Sequence, residues 1–137
     1  MCSSDLFDRA LADYDAAIVL NPKWVSAYFG RALTLQQKAG SDFDAFLNEG
    51  RFEEQAIAEY GKVLQLVPRH AGALNNRGQL HHALRKYDLA IADFTQALEI
   101  SPANPMFLRN RALTYRTMRR FDLAIADYRS EIGRAHV

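Results

Sequence analysis

The chain repeats itself every 34 residues, and no other feature limits its fold so tightly. Ala71–Asn104 reads AGALNNRGQLHHALRKYDLAIADFTQALEISPAN, and the next copy opens at Pro105 as PMFLRNRALTYRTMRRFDLAIADYRS. Arg77 and Arg111, Ala90 and Ala124, and Phe94 and Tyr128 each stand 34 residues apart. FDRALADYDAAIVLNP (7–22) and FEEQAIAEYGKVLQLVP (52–68) repeat the second half of the unit. Pro22, Pro68 and Pro102 follow at intervals of 46 and 34, so the first interval is one period plus 12 inserted residues. The chain therefore divides into a half-unit (7–24), a unit with an insertion at 40–50 (25–70), a regular unit (71–104) and a truncated unit (105–130). A fixed period of this size marks one supersecondary unit that buries its apolar face only by stacking on copies of itself.

Each half-unit carries the pattern of a helix. In Asp88–Ile100, Ala90, Ile91, Phe94, Ala97 and Leu98 form one stripe at a period near 3.6. Ser101-Pro102 ends it, because proline offers no amide hydrogen and disfavours helical geometry in the residue before it. Ala73–Leu84 is the partner, with Leu74, Gly78 and His81 on its packing side. Small residues at Gly78, Ala90 and Ala97 suit close helix approach, and Leu74 and Phe94 fill the space beside them. The predicted architecture is all-α, a superhelical stack of antiparallel helix pairs.

Composition narrows the function. The 137 residues are 49% hydrophobic and 24% charged, with a formal charge of +1. Near-neutrality argues against nucleic acid as a partner. No run reaches the roughly 18 apolar residues of a membrane span. One cysteine, Cys2, excludes an internal disulfide and a multi-cysteine zinc site. There is no Gly-rich phosphate loop, GxSxG, HExxH or CxxC, so no enzyme, metal or cofactor is expected. His81 and His82 are adjacent and diverge by about 100° on a helix, which suits packing for His81 and a solvent or groove position for His82. Asp42, Asp44 and Glu49 lack the calcium-loop pattern.

The order Gly78, His81, Ala90, Phe94, Ala97 and Pro102 in a 34-residue helix–turn–helix unit resembles the tetratricopeptide repeat. Ala112, Tyr115, Ala124 and Tyr128 match in the next unit, and Tyr28, Ala32, Leu35, Ala56, Tyr60 and Pro68 in the inserted one. Asn76–Gly78 and the Ala-Asp-Phe/Tyr blocks are most similar to bacterial members. The resemblance implies a right-handed superhelix whose concave face, lined by the first helix of each pair, binds a peptide or partner protein. That face falls on Ser26, Phe29, Gly30, Leu33 and Gln37, then Asn75, Asn76, Gln79 and His82, then Arg109, Asn110, Leu113 and Arg116. Asn76 and Asn110 lead this set, since an asparagine amide both donates and accepts. The lysine and arginine clamp of chaperone-binding relatives is missing, with Phe29, Leu33, Met106 and Asn110 in the corresponding places.

One departure from the family has its own reading. Arg31, Arg77 and Arg111 stand where the family often has leucine. Each meets an acid in the following helix, Glu59, Asp93 and Asp127, at 16 residues in the regular units and 28 in the inserted one. The spacing predicts an ion pair across each helix pair, suited to the planar arginine fork. Tyr14, Tyr60, Phe94 and Tyr128 are expected in the core, and Trp24 over the turn into the next helix. Phe43, Phe46 and Leu47 give the insertion an amphipathic turn.

The two ends break the pattern and are related through the genetic code. Cys-Ser-Ser-Asp-Leu (2–6) can be written TGC TCT TCC GAT CT, whose reverse complement contains codons for the Ile-Gly-Arg-Ala of 132–135. Residues 1–6 and 131–137 are therefore expected to be added sequence on a fragment of a longer stack. The compartment stays open, with the cytoplasm favoured. A protein-interaction scaffold is the leading function. Self-association through uncapped repeat ends, or membership of a larger enzyme or regulator, are the alternatives.

Overall fold

The computed structural model describes residues 3–41 and 50–135, and helices are the only regular elements among them. Cys2, Asp42, Phe43, Asp44, Phe46, Leu47 and Glu49 lie outside the described residues. Among the described residues seven helices follow in order: α1 Ser3–Leu20, α2 Val25–Ala39, α3 Arg51–Leu66, α4 Ala71–Ala83, α5 Tyr87–Ile100, α6 Pro105–Thr117 and α7 Phe121–Ala135. They form two compact units, Met1–Pro68 and Arg69–Val137. In the first, α2 packs against both α1 and α3. In the second, α5 packs on α4 and on α6, and α6 on α7, with a lighter contact between α4 and α6.

The first unit buries Ala32, Ala56, Tyr60 and Val63 completely. Its tyrosines are large apolar fillers whose hydroxyls still find acceptors. Tyr60 donates to Gln36 Oε1 at 2.7 Å and Tyr28 to the Pro22 carbonyl at 2.9 Å. The second unit is built around Leu74, Ala90, Phe94, Ala97 and Ala112, all essentially solvent-free. Gly78 lets α4 approach the Phe94 ring: a Cβ placed there would stand 2.7 Å from Cε1. Gly30 is pressed in the same way by the Tyr14 ring. Of the expected aromatic core, Tyr60 and Phe94 are buried, whereas Tyr14 and Tyr128 are only half-buried. Those two belong to α1 and α7, each of which packs on a single helix of its own unit.

The turns inside the second unit share one geometry. Arg85 (φ 62°) and Arg119 (φ 64°) occupy the left-handed region just past α4 and α6. Arg85 N donates to the His82 carbonyl at 2.9 Å and Lys86 N to His81 at 2.8 Å. Arg119 N and Arg120 N do the same to Arg116 and Tyr115, at 3.0 and 2.8 Å. These paired bonds satisfy the last helical carbonyls, at positions where glycine is the usual residue. Between the two helix pairs, Asn104 caps α6 by accepting from the amides of Met106 (2.9 Å) and Phe107 (3.2 Å), with Pro105 at the first helical position.

Two packing predictions follow from these positions. Gly78→Ala is expected to destabilise the protein by about 1–2 kcal/mol, because overpacking against Phe94 outweighs the helix propensity gained. Arg85→Gly and Arg119→Gly are each expected to stabilise it by about 0.5–1 kcal/mol, by removing a strained side chain. Urea denaturation measures both, and a rise in midpoint for Gly78→Ala contradicts the first.

Candidate functional site

Three arginines join the helices. Arg77 on α4 makes a fork to Asp93 on α5, with Nε to Oδ2 at 2.9 Å and Nη2 to Oδ1 at 2.8 Å. Arg111 on α6 repeats it with Asp127 on α7, at 2.8 and 2.7 Å. In the inserted unit Arg31 Nη2 donates to both Glu59 oxygens, at 2.7 and 2.8 Å. Asp93 and Asp127 are only 4% and 5% exposed, so their charge depends on these partners. The bonds to Asp93 and Asp127 hold the Arg77 and Arg111 pKa values above the ordinary arginine range, against the opposing effect of burial. For Arg31, burial lowers the pKa, and bonds to Glu59 and Asp15 more than reverse it.

Two of the arginines also reach backwards. Arg31 Nη1 donates to Asp15 on α1, and Arg111 Nη1 to Thr95 Oγ1 on α5 at 3.2 Å. Both contacts lie 16 residues upstream of the arginine. Each of these two arginines thus links three consecutive helices.

A second polar system lies between α4 and α6. Asn110 Nδ2 donates to Asn75 Oδ1 at 2.9 Å, and Asn75 Nδ2 approaches Asn76 Oδ1 at 3.4 Å. His82 Nδ1 lies 2.8 Å from Thr114 Oγ1, and the Thr114 hydroxyl donates to the Asn110 carbonyl at 2.9 Å. The His82 ring also stands edge-on to Tyr87, centroids 5.3 Å apart. Burial pushes the His82 pKa below 6.5. Above these groups opens a small cavity of about 130 Å³ lined by Gln79, His82, Phe94, Asn110, Leu113 and Thr114.

Residues 71–104 match the tetratricopeptide repeat family over a full period. That segment is a tetratricopeptide repeat. Among solved structures the chain is similar to MamA 41-end from Desulfovibrio magneticus RS-1, with a TM-score of 0.80 at 13% identity over 98% of this chain and 69% of that one. It is also similar to TTC0263, a thermophilic TPR protein in Thermus thermophilus, with a TM-score of 0.74 at 24% identity over 97% and 68%. At these identities the likeness is one of fold. No curated protein sequence matches the chain.

Four of the residues assigned to the groove from sequence line one cavity: Gln79, His82, Asn110 and Leu113. Asn76 is half-buried beside them. Asn75 is different. It is 2% exposed and saturated by Asn110 and Asn76, so it braces α4 against α6 and has no surface for a ligand. Arg109 is exposed but engaged, donating to Glu131 Oε1 from Nη2 at 2.8 Å and Nε at 3.2 Å. Arg116 is exposed. In the first unit Phe29 and Leu33 are half-buried, and Phe29 stacks edge-on against Tyr60 at 5.7 Å. Trp24, expected over the turn into the next helix, stands at the start of α2 and is 49% exposed. Thr114 escaped the sequence reading altogether, because a helical threonine gives no pattern signal until its neighbours are known.

His81 lies inside the helix pair, with Nε2 3.7 Å from Asp93 Oδ2 and Nδ1 buried without a hydrogen-bond partner. Among the described residues no group of three or more potential metal ligands is present. Burial lowers the His81 pKa below 6.5, and the charge of Asp93 offsets only part of that.

These placements make two measurable claims. Asp93→Ala strands the guanidinium of Arg77 in a half-buried site and is expected to cost about 3 kcal/mol. An Arg77→Ala/Asp93→Ala double-mutant cycle in urea then returns a coupling energy, and its absence contradicts the pairing. For His81, the unfolded chain takes up the proton near pH 6.5 and the folded protein only at lower pH. Stability is therefore full above that value, falls as the pH drops below it, and levels off beneath the folded-state pKa. His81→Gln is expected to shallow this slope between pH 7 and pH 5, and an unchanged slope contradicts the assignment.

Proposed function

We propose that the protein is a non-catalytic interaction scaffold that binds a peptide or partner segment on the α4–α6 face. The small, half-apolar cavity flanked by side-chain amides carries this reading. Its volume of about 130 Å³ falls below the ~300–1,000 Å³ of a small-molecule site. It suits one side chain of a longer ligand. Leu113, 37% exposed at its edge, offers an apolar anchor, and the amides of Gln79 and Asn110 offer groups that hold a peptide backbone without reading its sequence. The rigid network beneath supports the reading further, because a preorganised surface loses less entropy on binding.

A second reading draws on α7, where Phe121, Ile125 and Ile132 are each roughly half exposed along one stripe. Such a patch supports self-association through the outer face of the last helix pair. No helix among the described residues is long and apolar enough to cross a membrane.

The test begins with a random-peptide library selected on the protein. Leu113→Glu and Gln79→Arg are each expected to weaken the selected peptides at least about 10-fold, whereas Leu123→Glu on α7 leaves them unchanged. Equal loss from all three, or none from the first two, removes the groove from the binding site. Sedimentation of Ile125→Glu against the parent separates the second reading, since an unchanged oligomeric state removes α7 as a contact.

A further inference from the structure

The near-neutral total charge conceals a division between the two units. Met1–Pro68 holds six lysines and arginines against ten aspartates and glutamates, and Arg69–Val137 holds eleven against six. In the second unit Asp93, Asp127 and Glu131 are already taken by Arg77, Arg111 and Arg109. The excess cations gather at one end, where α4 and α6 finish and α5 and α7 begin. Arg85, Lys86, Arg116, Arg119 and Arg120 stand there, all exposed. None of the five makes an ion pair or a side-chain hydrogen bond among the described residues. Of the acids of this unit, Asp88 and Asp122 share that end, in the first turns of α5 and α7.

The two turns carry the same surface. Arg85-Lys86-Tyr87-Asp88-Leu89 and Arg119-Arg120-Phe121-Asp122-Leu123 repeat one order: two cations, an aromatic ring, an aspartate and a leucine. Each set lines an open depression, of about 350 Å³ in the first and about 370 Å³ in the second. Met118, the chain neighbour of Arg119, walls the first depression, so the two turns form one continuous edge. Leu89 and Leu123 are each roughly half exposed on it. The edge is both cationic and apolar.

Arg85 and Arg119 also hold φ values of 62° and 64°, which strain any residue with a side chain. Before α3 the chain places glycine in that region, Gly50 (φ 83°), and Glu53 and Glu54 follow it. The second unit places arginine there twice, although neither side chain bonds to the rest of the fold. Strain carried without such a return points to a use outside the fold.

We propose that this edge docks an acidic peptide segment of a partner protein, with aliphatic side chains set among its carboxylates. The carboxylates meet the basic pairs, and the aliphatic groups cover Leu89 and Leu123 beside the two aspartates. A nucleic-acid strand fits less well, because its unbroken row of phosphates would face Asp88 and Asp122 and leave the leucines uncovered. Corresponding points of the two turns lie roughly 10–20 Å apart at ordinary helix spacing, a span of about three to six residues of extended peptide. The depressions share no lining residue with the α4–α6 cavity, so the edge is independent of the groove reading.

The probe is the acetylated and amidated peptide Glu-Leu-Glu-Gly-Glu-Leu-Glu, titrated into the isotope-labelled full chain and followed by NMR. At about 0.05 M salt it is expected to bind with shifts at 85–89 and 119–123, and at about 0.5 M salt to weaken at least about 5-fold. Analogues with Gln for every Glu, or with Gly for both Leu, are each expected to bind at least about 5-fold more weakly. Arg85→Gly/Arg119→Gly is expected to raise the urea midpoint while weakening the peptide at least about 5-fold. Arg69→Gln, at the opposite end of α4, is expected to leave binding unchanged. Absent binding, equal affinity for either analogue, or full binding by the double variant overturns the proposal. A double variant that loses both midpoint and binding also overturns it, by assigning the arginines to the fold. So does a short oligothymidylate strand that binds as tightly as the peptide, which makes the edge a phosphate-binding surface instead.

Discussion

The bond between an arginine on the first helix of each pair and a carboxylate on the second sets the register on which the other contacts depend. Asp93 and Asp127 are almost wholly removed from solvent. A buried carboxylate is tolerable only when a cation meets it with good geometry. The fork from Arg77 or Arg111 supplies two bonds in a fixed plane, so a slip of one residue along either helix would break both. With the register held, Gly78 falls opposite the Phe94 ring, and Ala90 and Ala97 are fully buried. Apolar packing of this kind is less particular about register, because neighbouring leucines and alanines substitute for one another at modest cost.

Arg31 and Arg111 also connect one helix pair to the helix before it. Arg31 holds Asp15 and Glu59 together, and Arg111 holds Thr95 and Asp127. A repeat stack gains stability from intrinsic terms within a unit and from nearest-neighbour terms between units. A side chain that serves both couples the two. It also explains why a charged residue is tolerated where an apolar one would bury as well, since the guanidinium satisfies acceptors on two helices at once.

The face between α4 and α6 is polar for a different reason. There the contact between the helices is light, and the Asn75–Asn110 bond and the His82–Thr114 bond replace apolar packing. Networks of this type rigidify a surface only when every member is satisfied. Thr114, fully buried, and Asn75, nearly so, are satisfied from within.

Much of the fold was legible in the sequence. The 34-residue period, the apolar stripe from Ala90 to Leu98, Pro102 as terminator and the sixteen-residue arginine–acid spacing all act locally or at a fixed repeat, so they survive projection onto one dimension. The site was legible as a helix face but not as a set of roles. Asn75 and Asn76 are neighbours of identical chemistry, and only the approach of Asn110 makes the first a brace and leaves the second half-exposed. Trp24 has no helix stripe to place it, and Thr114 has no signature at all. The Arg31 contact to Asp15 depends on which helix lies behind α2, and the left-handed turns at Arg85 and Arg119 run against the glycine preference of such positions. The sequence by itself determined a helical repeat and the pairing of helices within it, because periodicity and proline act along the chain. Which polar groups close on one another, and which stay open at the surface, was decided by tertiary structure, because a hydrogen bond used by one partner is no longer available to another.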